Sequence, residues 1–139
     1  MEWQKSDFGY YLKLVKGEEV VQSLTEFASE HGMESGAFSG IGAFRDISVG
    51  YFNTKTQDYP VREFPGTHKV LSCKGNFALK DGAPFPHCHI LFSDVHYQAY
   101  GGHLLEATVE VTGEFSVFTS TNEIHRVLDK DIGLDLWDI

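Results

Sequence analysis

Leu104-Leu105-Glu106-Ala107-Thr108-Val109-Glu110-Val111-Thr112-Gly113-Glu114-Phe115-Ser116-Val117-Phe118-Thr119 is the stretch that decides the fold. Val109, Val111, Phe115, Val117 and Phe118 put β-branched and aromatic side chains along it, and these favour a pleated backbone. Gly113 marks a bend within it. A strand this long needs partners, and the rest of the chain supplies them. Phe8-Gly9-Tyr10-Tyr11-Leu12-Lys13-Leu14-Val15 reads as a first strand, broken by Lys16-Gly17. Ile47 to Phe52, Lys69 to Cys73, Asn76 to Leu79 and His87 to Phe92 read as further strands. Lys80-Asp81-Gly82 supplies a hairpin turn between the last two.

One helix interrupts this pattern. From Glu18 to His31, the residues Val20, Val21, Leu24, Phe27 and Ala28 fall on one helical face. Glu18 and Glu19 suit the positive N-terminus, His31 suits the last turn, and Gly32 stops the helix. Ser35 to Gly42 is rich in glycine, but its spacing matches no nucleotide fingerprint, so close packing or a bulged strand is the reading. Asn53 to Pro60 is a polar turn, and the acidic tail from Asn122 to Ile139 is ambiguous. One helix and about seven strands give an α+β domain on a curved, mostly antiparallel sheet or barrel, spanning residues 1–139.

Composition narrows the functions. A chain with 42% hydrophobic and 14% aromatic residues can bury a real core. No run of about 18 apolar residues exists, so no membrane-spanning helix is expected. Neither is a secretory signal visible, so the expectation is a cytoplasmic protein whose Cys73 and Cys88 are free thiols. The formal charge is −9, from 20 acidic and 11 basic residues. Arg62, Lys69, Lys74 and Lys80 are scattered among acids, which disfavours binding to the DNA backbone.

The chemistry concentrates in Pro86-His87-Cys88-His89-Ile90 and Tyr100-Gly101-Gly102-His103-Leu104. On a strand His87 and His89 share one face, with Cα atoms about 6.6 Å apart. His103 on the next segment is a natural third ligand. Three imidazoles with a fourth position open form a pattern suited to zinc, with other divalent transition metals as alternatives. Cys88 points to the opposite face and reads as core. His31, His68, His96 and His125 read as surface residues. Glu106 and Glu114 are the nearest acids on the following strand. They are the candidate catalytic pair, as a proton acceptor or as a partner that orients a histidine. Arg45 is a candidate for binding a substrate carboxylate.

Gly17-Glu18-Glu19, Ser39-Gly40-Ile41-Gly42, Gly50-Tyr51-Phe52, His87-Cys88-His89 and Gly101-Gly102-His103-Leu104-Leu105-Glu106 occur in the order expected of the PPC domain, conserved in plants and prokaryotes. The chain resembles that family over nearly its whole length. The resemblance implies a homotrimer of α+β subunits, with His87, His89 and His103 as the metal ligands of prokaryotic members. It also implies DNA binding, yet the AT-hook of the plant relatives has no counterpart here, since no Arg-Gly-Arg-Pro-like segment exists. The fold further resembles acetolactate decarboxylase, which holds zinc on three histidines. Lys69 stands where relatives often carry glutamate, and Tyr97 where a turn glycine is frequent.

Two functions follow. One is a metal-binding regulatory or interaction module whose acidic surface meets a protein or a small ligand, with DNA contact as a subordinate version. The other is a zinc-dependent lyase or hydrolase acting on a small oxygen-rich acid.

Overall fold

The computed structural model describes residues 1–139. The elements in order are β1 (Glu2–Ser6), β2 (Gly9–Val15), α1 (Val20–Glu30), β3 (Ser35–Gly50), β4 (Val61–Lys80), β5 (Ala83–Ser93), β6 (Ala99–Thr119), β7 (His125–Asp129) and β8 (Leu134–Asp138). β6 is the expected long strand, and it pairs antiparallel with β2, β3 and β5. β3 and β5 also pair with β4, so these four strands form a closed circuit of pairings. β1 and β8 remain as free edges, which makes this a curved sheet and not a true barrel. The single parallel contact is Leu79 beside His125.

α1 forms where the apolar face predicts it. Glu19 caps it, accepting from the Gln22 backbone N–H at 2.5 Å. The other Glu19 carboxylate oxygen accepts from the Ala107 N–H at 3.1 Å, which ties the helix start to β6. Val20, Leu24, Phe27 and Ala28 are buried against the sheet. They join a cluster of 23 buried residues that includes Phe44, Phe77, Phe92 and Val109. No helix is long and apolar enough to cross a membrane.

One expectation needed correction: Lys69 to Cys73 and Asn76 to Leu79 are parts of a single strand. Gly75 does not interrupt a strand, because β4 runs unbroken through it. An added Cβ there would lie 2.2 Å from the His87 carbonyl oxygen and 2.4 Å from the Phe38 ring, so glycine is what lets β4, β5 and the core close up. The glycine-rich segment is a bulged strand, with register shifts after Gly40 and Gly42. The N-terminal Glu2 to Ser6 contributes an edge strand, and the ambiguous tail forms the β7–β8 hairpin. At the β4–β5 turn Asp81 and Gly82 have φ of 53° and 79°, as a type I′ turn requires. Tyr97 adopts φ 62°, the left-handed conformation in which glycine is favoured.

Candidate metal centre

The period of two along β5 separates its side chains. Cys88, Ile90 and Phe92 enter the core, and His87 and His89 emerge on the opposite face. Register places His103 of β6 directly across from His89. The next pairs shift between Ser48 and Val49 of β3, leaving Leu105 as an extra residue on β6. That bulge reverses the side-chain alternation between Leu104 and Ala107, both of which are buried. His103 therefore points away from the core, toward the other two imidazoles.

The three rings have centroids 5.0, 4.9 and 5.7 Å apart. One ligand atom from each lies within 4.8 Å of the others. Nitrogens around a single zinc stand roughly 3.4 Å apart, given bonds of about 2.0–2.1 Å. Modest ring rotations would close this set on one ion. Burial, with the Arg126 charge and the neighbouring histidines, pushes the His87 pKa down to about 4. Burial, the His89 charge and Arg126 likewise lower that of His103. Both rings are thereby kept neutral near pH 7, the state in which imidazole donates a lone pair to a metal. The donor set fits a borderline-soft divalent ion such as zinc.

These histidines open onto a cavity of about 540 Å³. Its walls include Phe52 and Tyr59 from the β3–β4 loop, Phe85 of β5, and Leu134 and Leu136 of the terminal hairpin. Tyr59 sets its ring edge-on to His103 at 6.2 Å, and burial raises the pKa of its phenol. Arg126 of β7 is the cavity's arginine. Its two terminal nitrogens donate to the Asp135 carbonyl at 2.9 Å and to Asn76 Oδ1 at 2.8 Å.

The remaining candidates lie elsewhere. Glu106 borders a surface depression beside the capping Glu19 and Gln22 and Glu26 of α1, and Glu114 borders another with Trp3 and Tyr11. Neither lines the histidine cavity. Arg45 is held at the surface by Asp46 and Glu110, at 2.5 and 3.1 Å. Lys69 is exposed between Ala43 and Ser93. Cys73 and Cys88 are buried thiols with their sulfurs 3.2 Å apart.

Two histidines expected at the surface are not there. His68 is buried between Phe64 and Phe92, with Nδ1 3.0 Å from the Gly66 carbonyl. His31 is half-buried among the rings of Trp3, Tyr10 and Phe27. His96 and His125 are exposed as expected.

Sequence reasoning missed Arg126, since it sits in the tail whose structure was ambiguous. The available signal was two short apolar–polar runs, His125 to Asp129 and Leu134 to Asp138, flanking a turn that ends at Gly133.

Comparison with known proteins agrees with the fold. A protein of Bacteroides thetaiotaomicron whose name conjectures DNA binding is 31% identical, with 99% of this chain and 96% of that one aligned at a TM-score of 0.95. A metal-containing protein from Archaeoglobus fulgidus is 33% identical over 99% and 97% of the two chains, at a TM-score of 0.87. Acetolactate decarboxylase from Bacillus subtilis shares the fold at 14% identity and a TM-score of 0.58, over 88% of this chain and 57% of its own. No curated protein matches the chain. The family model of the Plants and Prokaryotes Conserved domain matches residues 3–121. With its fold and its three converging histidines in place, this chain belongs to the Plants and Prokaryotes Conserved domain family.

Proposed function

We propose that this is a small zinc-binding protein in which His87, His89 and His103 hold one ion per chain. The observation that carries the reading is the convergence of three imidazoles, two of them kept neutral, at the mouth of one cavity. A divalent ion there would act as a Lewis acid toward a ligand oxygen. Asn76 and the Asp135 carbonyl fix Arg126, and Phe52, Phe85 and Leu136 give the cavity apolar walls. The relative from Archaeoglobus fulgidus is named as metal-containing, which supports the same reading here.

The assembly we propose is a homotrimer in a reducing, cytoplasmic compartment. Exposed Trp3, Tyr11, Ile41, Val111 and Phe118 on β1, β2, β3 and β6 support burial against further copies. Buried free Cys73 and Cys88 support the compartment. A regulatory role through DNA is the weaker version of this proposal, because a chain of charge −9 offers the phosphate backbone little. A cavity of this size favours a small-molecule ligand, and with it the second reading, a zinc-dependent lyase or hydrolase for a small oxygen-rich acid. If that reading holds, an acid–base role for Glu106 or Glu114 has no support within one subunit, since neither reaches the cavity.

The test is bound metal in untagged protein purified without chelator, beside the double variant His87→Ala, His89→Ala. Close to one zinc per chain, lost in the variant, is the expected result. An unmetallated wild type that stays so after incubation with zinc would reject the proposal.

A further inference from the structure

Arg126 forms no ion pair, and the one carboxylate whose charge reaches it, that of Asp135, is bonded elsewhere. Its terminal nitrogens meet only neutral acceptors, the Asp135 carbonyl and Asn76 Oδ1. Its Nε is buried with no hydrogen-bond partner. The Asp135 carboxylate, which also lines the cavity, lies 2.6 Å from Lys80 Nζ and is engaged there. Phe85 presents its ring 5.7 Å from the guanidinium carbon, the weaker kind of help a cation gets from an aromatic face. A guanidinium has five donors, and two are used here. A partly buried cation without a directly paired carboxylate is unusual, because desolvation is costly unless a counter-charge arrives. The positive field of Arg126 falls on the same cavity that His87, His89 and His103 line. A divalent ion would add to that field, with Asp135 as the cavity's single acidic side chain.

We propose that the cavity binds a small monocarboxylate, its carboxylate paired with Arg126 and its other end directed to the ion held by His87, His89 and His103. The inference rests on the metal centre proposed above. The planar fork of a guanidinium matches a carboxylate bidentately. Phe52, Tyr59, Leu134 and Leu136 suit a short apolar chain between the two ends. A carboxylate is favoured over phosphate at the arginine end because Arg126 is the one cation there, Lys80 being turned to Asp135.

The test uses cobalt(II)-loaded protein, so that thiolate ligation is read from the sulfur-to-cobalt absorption band and not from any activity. Cobalt content is measured first, and its absence from the wild type would overturn both this inference and the metal centre. 3-Mercaptopropionate is then titrated against its neutral counterpart 3-mercaptopropan-1-ol. The carboxylate is expected to bind at least about tenfold tighter, as a charge-assisted bidentate pair implies. Arg126→Gln should abolish that preference with cobalt content unchanged, and Arg126→Lys should keep only part of it. Equal binding of the two thiols by the wild type, or a preference undiminished in Arg126→Gln, would overturn the inference while leaving the metal centre standing. Should the glutamine variant fail to fold, an undiminished preference in Arg126→Lys overturns it equally. Inorganic phosphate and propionate are added as competitors of 3-mercaptopropionate. Propionate is expected to displace it at the lower concentration, and phosphate doing so instead would overturn the carboxylate assignment.

Discussion

Burial, aided by the charge on Arg126, holds the His87 pKa at about 4 against an ordinary 6.5. As pH falls, the unfolded chain takes up this proton before the folded one does. The stability linked to His87 is therefore intact above about pH 6.5, declines down to about pH 4 and then levels off. His103 contributes in the same direction. Metal-free wild type is expected to lose stability across that window more steeply than His87→Gln, as read by urea denaturation at a series of pH values. Parallel curves for the two proteins would contradict the burial argument. At this scale the sequence was legible for the three histidines, because spacing on a strand sets facing and two residues apart means the same side. It was not legible for His68 and His31. Their burial depends on Phe64, Phe92, Trp3 and Tyr10 arriving from other elements, which no local pattern reveals.

β5 shows how an element sets the site. Its register against β4 and β6 places His87 opposite Asn76 and His89 opposite both Lys74 and His103. Gly75 guards that register, since a methyl group there would strike the His87 carbonyl and the Phe38 ring. Gly75→Ala is expected to cost about 1–3 kcal/mol of stability, the usual range for overpacking. It should also weaken zinc binding by shifting His87, which titration against a chelating dye would measure. Wild-type affinity in a destabilised variant would show that the strand position and the site are independent. α1, β2, β5 and β6 were legible because each carries a clear apolar period or a capping signal. β7 and β8 were not, because both are largely exposed and lack a buried stripe. That loss concealed Arg126 and left Arg45 as the candidate arginine. Arg45 in fact spends its charge on Asp46 and Glu110 at the surface.

For the molecule as a whole, charge and architecture point in one direction. The curved sheet keeps its core on the side of α1 and leaves the histidines on the other face, beneath the β3–β4 loop and the terminal hairpin. A net charge of −9 surrounds this site. Mixed-sequence duplex DNA is expected to bind no tighter than about 100 μM near physiological salt, the weak end of non-specific association. Fluorescence anisotropy would measure it, and micromolar binding that falls steeply with added salt would revive the DNA role. The fold class was legible from composition and strand pattern, whereas the closed circuit through β3, β4, β5 and β6 depends on bulges that alternation alone does not show. The central claim is tested most directly by diffraction from zinc-loaded crystals at wavelengths on either side of the zinc absorption edge. An anomalous peak bonded to nitrogens of His87, His89 and His103 is predicted. A peak held by surface carboxylates instead, or none between the three rings, would contradict the account.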